Sequence, residues 1–318
     1  WSYSLVPLRD DASQALAGGL AYDDGRLYVT SGFGTLTALD AATGSEIWTQ
    51  RLQATATGAP TVYRGLIYVV AGDSTAWAIE AEDGRVRWQS DGLGDVGNVA
   101  GAAPPAVNDT HVVFSFGSGA VQGAFRQGGL RLWSADIVGT RRGFAIALVD
   151  DITGYPVIDG NTVYAGNHSG SVVALNVNSG ERIWTAQQGA LDPVWPAGNS
   201  VYFISDLNEL VRLDATDGRQ IWAVDLPGYE PVRRPQRRRD SAFANHGPIL
   251  AGGRLVVASS DGFLRSFDPA SGDLISQTEI RGGATTRPVV ANGTLYVVST
   301  NGVLHAYRCP LPQAREIG

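Results

Sequence analysis

The chain has 318 residues, a net charge of −7, 44% hydrophobic and 17% charged residues. That balance belongs to a folded chain. It excludes a disordered one, and it excludes a global attraction to nucleic acid or to an anionic lipid surface. No run of about 18 apolar residues occurs, so no membrane-spanning helix is expected.

All 24 basic residues are Arg, Met is absent, and Cys309 is the single cysteine. No intrachain disulfide can form, and Cys309 reads as inert. The absence of Met reads as a processed or truncated chain, with any signal peptide or lipid-attachment cysteine upstream.

Trp1–Leu5 looks like the tail of a repeat without its beginning, because it matches Trp48–Leu52. The fullest copy is Tyr28–Trp48. Its first position recurs as Tyr68, Val113, Tyr164, Tyr202, Val256 and Tyr296. Twenty residues after the first six of these seven positions come Trp48, Trp88, Trp133, Trp184, Trp222 and, in the sixth copy, Ser276. A fixed internal offset at a period of about 40–50 residues marks a propeller, solenoid or array.

Each copy reads as four strands. An apolar run comes first, as in Ala59–Val62 or Pro248–Leu250. A Gly-containing turn leads to a β-branched strand, Leu66–Val70 or Leu295–Val298. A polar turn precedes the third strand, Leu36–Leu39 or Val172–Leu175, and the fourth carries the Trp. The expected fold is all-β: a β-propeller of four-stranded antiparallel blades, seven repeats visible, forming a single domain over 1–318. The termini leave two expectations open. Either Trp1–Leu5 closes a seven-bladed ring, or a first blade lies upstream.

The turn before each Trp follows Ala38-x-Asp40-x-x-Thr43-Gly44. Asp40 can accept turn N–H groups, Gly44 can take a positive φ, and small Ala38 is expected to make room for a neighbouring blade's indole. Trp1, Trp48, Trp88, Trp133, Trp184 and Trp222 are accordingly read as interblade docking residues. Trp195 is read as packing on an innermost strand.

Two connections are long. Trp133 to Tyr164 takes 31 residues and Trp222 to Val256 takes 34, against 20 from Trp48 to Tyr68. Both insertions follow a Trp strand and are expected on one face of the propeller, where long loops carry binding. The second contains Arg233, Arg234, Arg237, Arg238 and Arg239, a basic cluster in an acidic chain, suited to an acidic surface or anionic headgroups. Without interleaved aromatics it is a poor nucleic-acid site. His111, His168, His246 and His305 have no metal-ligand spacing, so no metal is expected.

The Ala-x-Asp-x-x-Thr-Gly-x-x-x-Trp pattern resembles the docking motif of quinoprotein-like propellers. Two branches are relevant: the pyrroloquinoline-quinone alcohol dehydrogenases and the BamB-like outer-membrane assembly lipoproteins. The former typically carry a vicinal disulfide that one cysteine cannot make. The degenerate third repeat, the Leu207–Val211 turn and the Trp-less penultimate repeat resemble the latter. That resemblance implies an eight-bladed, non-catalytic periplasmic scaffold without a cofactor. It implies a membrane tether through an N-terminal lipid anchor, a BamA-like barrel-assembly partner and unfolded outer-membrane protein clients. The family's partner contact maps to the segment after the degenerate repeat, here Arg141, Arg142, Phe144, Asp150 and Asp151. A quinone-dependent dehydrogenase, or a sensor or adhesion propeller, is the alternative.

Overall fold

The computed structural model describes the chain apart from residues 8–9, 12–16, 93–102, 117–118, 138–153, 168–169, 230–241 and 309–318. It forms two compact units, Trp1–Gln187 and Gln188–Gly318. Every regular element among the described residues is a strand.

The first unit holds four antiparallel sheets, each of four consecutive strands. They are β1 (Ala17–Asp23), β2 (Arg26–Ser31), β3 (Thr35–Asp40) and β4 (Glu46–Arg51); β5 (Thr61–Tyr63), β6 (Leu66–Val70), β7 (Thr75–Glu80) and β8 (Val86–Asp91); β9 (Ala106–Val107), β10 (His111–Ser115), β11 (Ala120–Phe125) and β12 (Arg131–Asp136); and β13 (Gly154–Asp159), β14 (Thr162–Gly166), β15 (Val172–Asn176) and β16 (Arg182–Ala186). The second unit holds two more, β17 (Trp195–Ala197) to β20 (Gln220–Asp225) through β18 (Ser200–Ile204) and β19 (Glu209–Asp214), and β21 (Asn245–Ala251) to β24 (Leu274–Glu279) through β22 (Arg254–Ser259) and β23 (Phe263–Phe267). A three-stranded sheet follows, β25 (Val289–Ala291), β26 (Thr294–Val298) and β27 (Leu304–Arg308). These up-and-down meanders are the blades the repeats predict.

The core lies in the second and third strands. β6, β10 and β18 are buried along their whole length, as continuous β-branched and aromatic runs require when both faces are covered. Fourth strands are outer edges. In β8 and β12 the Trp is the only buried residue. β24, which carries Ser276 in place of the Trp, has no buried residue.

One irregularity recurs where the third strand meets the fourth. The register slips between Ala38 and Leu39, Ala78 and Ile79, Gly123 and Ala124, Ala174 and Leu175, Arg212 and Leu213, and Ser266 and Phe267. This bulge turns the residue before the Trp outward, which is why Ile47, Leu132, Ile183 and Ile221 are exposed. It also places Trp48 directly opposite Ala38.

The expectation for Ala38 is therefore corrected. The small residue makes room for its own blade's indole, whereas the neighbour's indole rests on the turn glycine. A Cβ on Gly84 would sit 2.7 Å from the Trp48 ring, one on Gly129 2.6 Å from Trp88, and one on Gly180 2.7 Å from Trp133. Trp1 lies on Gly44 in the same way, so it is a docking residue, and its indole N–H donates to the Ala41 carbonyl at 3.2 Å. The other indoles do likewise, Trp48 to Ala81, Trp88 to Arg126 and Trp133 to Val177 at 3.2, 3.0 and 2.7 Å. In the second unit Trp222 rests on Gly272, but its N–H is buried without a partner, and Tyr202 donates to the Pro269 carbonyl instead. Tyr28, Tyr68, Tyr164 and Tyr202 each pack against the Trp twenty residues on, with ring centroids 5.8–6.1 Å apart. Burial raises the pKa of Tyr28, Tyr68 and Tyr164. Deleting a buried ring of this kind costs about 3–5 kcal/mol.

The acidic residue of the turn acts as expected. The Asp40 carboxylate accepts from the Thr43 hydroxyl at 2.8 Å and from the backbone N–H of Thr43 and Ala42 at 2.7 and 3.0 Å. Those bonds hold its pKa below the ordinary range, the Thr43 hydroxyl contributing most. Asp214 is held low in the same way, mainly by the Thr216 hydroxyl.

Trp1–Leu5 contains no strand, and the sheet of β25–β27 stops at three. The ring-closing strand expected of Trp1–Leu5 is not formed.

Candidate interaction surface

In every antiparallel blade the second-to-third-strand turn and the end of the fourth strand lie at one end of the sheet. A repeated backbone bond ties them together. The residue after the fourth strand donates to the carbonyl of a turn residue: Leu52 to Gly34, Gly92 to Ser74, Ile137 to Gly119, Leu226 to Asn208 and Ile280 to Gly262, at 2.7–3.0 Å. The turn position takes a left-handed backbone, with φ of +76° at Gly34, +66° at Ser74 and +66° at Asn208. Glycine is the usual residue there.

The first long insertion leaves from this point. Ile137 is buried, and its carbonyl accepts from the side-chain amide of Asn167 at 3.1 Å. Asn167 is itself fully buried, and its amide oxygen accepts from the Ser171 N–H at 2.9 Å. The chain is described again at Gly154, which pairs with Gly166 at the start of β13. Arg141, Arg142, Phe144, Asp150 and Asp151 lie outside the described residues.

The root of the second insertion is held more elaborately. Asn208 both accepts from the Leu226 N–H and donates its amide to the Leu226 carbonyl at 2.8 Å. Asn245, on the returning strand, donates to the Asn208 amide oxygen at 2.7 Å and to the Pro227 carbonyl at 2.9 Å. Gly228 packs so close to Asn208 that a Cβ would come within 2.9 Å of its amide nitrogen. Beyond it Tyr229 bridges to Ala242, and Phe243 donates to the Gly228 carbonyl at 2.8 Å. Two large apolar side chains, Leu207 beside Asn208 and Tyr229 at the root, are left 58% and 54% exposed. Arg233, Arg234, Arg237, Arg238 and Arg239 lie outside the described residues. The arrangement is a pinned base presenting an exposed Leu and Tyr next to a basic segment, a chemistry suited to binding a protein surface.

Sequence reading missed Asn167, Asn208 and Asn245. One signal was present for Asn208: it is a non-glycine residue at a turn position that is Gly in five of the seven copies. Asn tolerates a left-handed backbone and adds a side chain able to tie the turn to its neighbours.

Other candidates are structural. Burial lowers the pKa of His111, whose Nδ1 lies 2.7 Å from the Thr110 hydroxyl. Nε2 of His305 meets the Ser299 hydroxyl at 3.0 Å, and His168 lies outside the described residues. Trp195 opens β17, half-buried, with the Arg287 guanidinium 5.4 Å above its ring. Among the described residues no three His, Cys, Asp or Glu side chains stand close enough to hold a metal ion.

Blades docked by a tryptophan on the next blade's turn glycine define the class: a β-propeller with quinoprotein-like repeats. The likeness to solved structures agrees. BamB from Moraxella catarrhalis superposes with a TM-score of 0.77 at 21% identity, over 92% of this chain and 85% of that one. A europium-containing methanol dehydrogenase superposes at 0.61 with 14% identity, over 93% and 79%, a likeness of fold alone. The family model described as outer membrane protein assembly factor BamB matches residues 1–224 and 211–309, and the chain belongs to that family. The outer membrane protein assembly factor BamB of Yersinia pestis is 23% identical over 302 residues, 94% of this chain and 73% of that protein.

Proposed function

We propose that this chain is a non-catalytic periplasmic scaffold of outer-membrane β-barrel assembly, and that it binds a BamA-like partner through its two insertions. Family membership carries the assembly role. The roots of the insertions support the binding mode: Asn167 holds the departing end of the first loop, strand pairing of Gly154 with Gly166 holds its return, and Asn208 and Asn245 hold both ends of the second. A loop with fixed ends loses less conformational freedom on binding. The partner contact falls to Arg141, Arg142 and Phe144, with Asp150 and Asp151 beside them. Arg233, Arg234 and Arg237–Arg239, on the loop whose root carries the exposed Leu207 and Tyr229, supply the second contact, and unfolded outer-membrane proteins are the clients served.

Charge reversal at Arg141 and Arg142 tests the reading in a titration against the periplasmic domains of the partner. The reading expects affinity to fall at least tenfold, because a buried interfacial Arg pair truncated or reversed is costly. Unchanged affinity removes that segment from the interface.

A further inference from the structure

The returning arm of the second insertion, Ala242–Ala244, is held from two sides. On one side Ala242 bridges to Tyr229, and the Phe243 N–H donates to the Gly228 carbonyl at 2.8 Å. On the other side lies the turn between β22 and β23. Ser260, in that turn, donates its backbone N–H to the Ala244 carbonyl at 2.9 Å, and its hydroxyl accepts from the Ala244 N–H at 2.9 Å. Both backbone groups of Ala244 are thus taken up by a single residue.

The turn is itself fastened by a buried ion pair. The side chains of Asp261 and Arg265 are 7% and 8% exposed. Oδ2 of Asp261 accepts from Nη2 of Arg265 at 2.6 Å, and Oδ1 accepts from Nη1 at 3.1 Å. Oδ1 also accepts from the Phe263 N–H at 3.2 Å, and the guanidinium carbon lies 5.3 Å from the centre of the Phe263 ring. Arg265 pairs with Val257 and Gln277 on the flanking strands, so the contact ties the turn to the middle of the sheet. A blade does not need this cation. The equivalent position is Thr37, Trp77, Gln122, Val173, Val211 or His305 in the other copies, and Arg265 occurs in the copy that receives the second insertion. Nor is such a pair kept for stability, because desolvating two charges offsets most of their attraction and apolar residues of like volume often serve as well. A bidentate Arg–carboxylate contact supplies a single geometry.

We propose that Asp261 and Arg265 are positioning residues for a partner contact at Tyr229. They act through Ser260 on Ala244, and along the arm on the bridge from Ala242 to Tyr229, whose side is 54% exposed. The proposal rests on the reading that the partner binds at the root of the second insertion. With the arm already held, no ordering of it is required on binding.

Three variants of the full chain test it. Asp261→Asn with Arg265→Met removes both charges together, leaves no unpaired charge buried, and keeps an acceptor for the Phe263 N–H. Arg265→Lys keeps the charge pair and loses the fork, so it serves should the neutral pair fail to fold in urea unfolding. Ser260→Ala leaves the ion pair intact and removes only the hydroxyl that Ala244 uses. Hydrogen exchange at the Ala244 amide, followed by NMR without any partner, should be faster than in the parent for all three. Titration against the partner's periplasmic domains should show binding weaker by about tenfold, the effect of leaving about one residue to be ordered. Added to Tyr229→Ala, none should weaken binding further, because the side chain they position is gone. Exchange at the parent's rate when the ion pair is altered, or losses that add to that of Tyr229→Ala, would overturn the proposal. Failure of the unaltered chain to bind would instead refute the scaffold reading, and exchange at Ala244 would still decide whether the pair holds the arm.

Discussion

Gly65 and Gly84 lie in one blade and share a backbone conformation, φ +77° and +76°, but differ in what surrounds them. A Cβ on Gly65 meets nothing within 4 Å. A Cβ on Gly84 would stand 2.7 Å from Cε3 and 2.8 Å from Cδ2 of Trp48. Replacing either by Ala forces an L-residue into the left-handed region, at about 1–2 kcal/mol. Either replacement also stiffens the unfolded chain, which returns about 0.4–1 kcal/mol. Both terms are common to the two variants and cancel in their difference. What remains is the indole contact. Two rigid ring atoms held on Ala38 cannot retreat without unseating the Trp48 N–H from the Ala81 carbonyl. Overpacking of this kind costs about 1–3 kcal/mol. Urea unfolding should therefore show Gly84→Ala less stable than Gly65→Ala by about 1–3 kcal/mol, at unchanged slope. Equal stability of the two variants would refute the assignment of the turn glycine as the seat of the neighbour's indole.

Trp133 and Trp222 offer a second contrast, because one indole N–H is bonded to Val177 and the other is buried without a partner. Trp133→Phe should cost more than Trp222→Phe by about 1 kcal/mol, the net value of the hydrogen bond, in the same unfolding assay. Asp40 titrates below its unfolded value, so its contribution is fully present above the ordinary carboxylate pKa and is lost as pH falls through the folded one. Asp40→Asn should flatten part of the acid limb of stability against pH, and identical acid limbs would show that the Thr43 bonds do not depend on the charge.

The blades were legible because their signals are local and repeated. A Tyr and a Trp at a constant offset, β-branched runs between them and a Gly-closed turn all reflect backbone rules that act within one copy. Ala38 was misassigned because a small residue looks the same whichever indole it accommodates. The bulge between Ala38 and Leu39 decides the matter, and it shows only when two strands are paired. The failed repeat at Ser276 was visible as a broken offset, and the structure adds that β24, which carries it, has no buried residue. The asparagine ties at the insertion roots connect residues 18 to 37 positions apart, and no periodicity announces such a pair. The insertions themselves were legible by length, since the docking units on either side keep their spacing.

The central claim is that regular blades carry the fold and the two insertions carry the binding. Replacing residues 138–153 and 230–241 with Gly/Ser linkers of equal length, then titrating the chain against the partner's periplasmic domains, tests it most directly. The account predicts that the free energy of unfolding stays within about 0.5 kcal/mol of the parent, the range for replacements that remove no packed contact, while binding is lost. Binding at the parent's affinity by the folded, loop-replaced chain would contradict it.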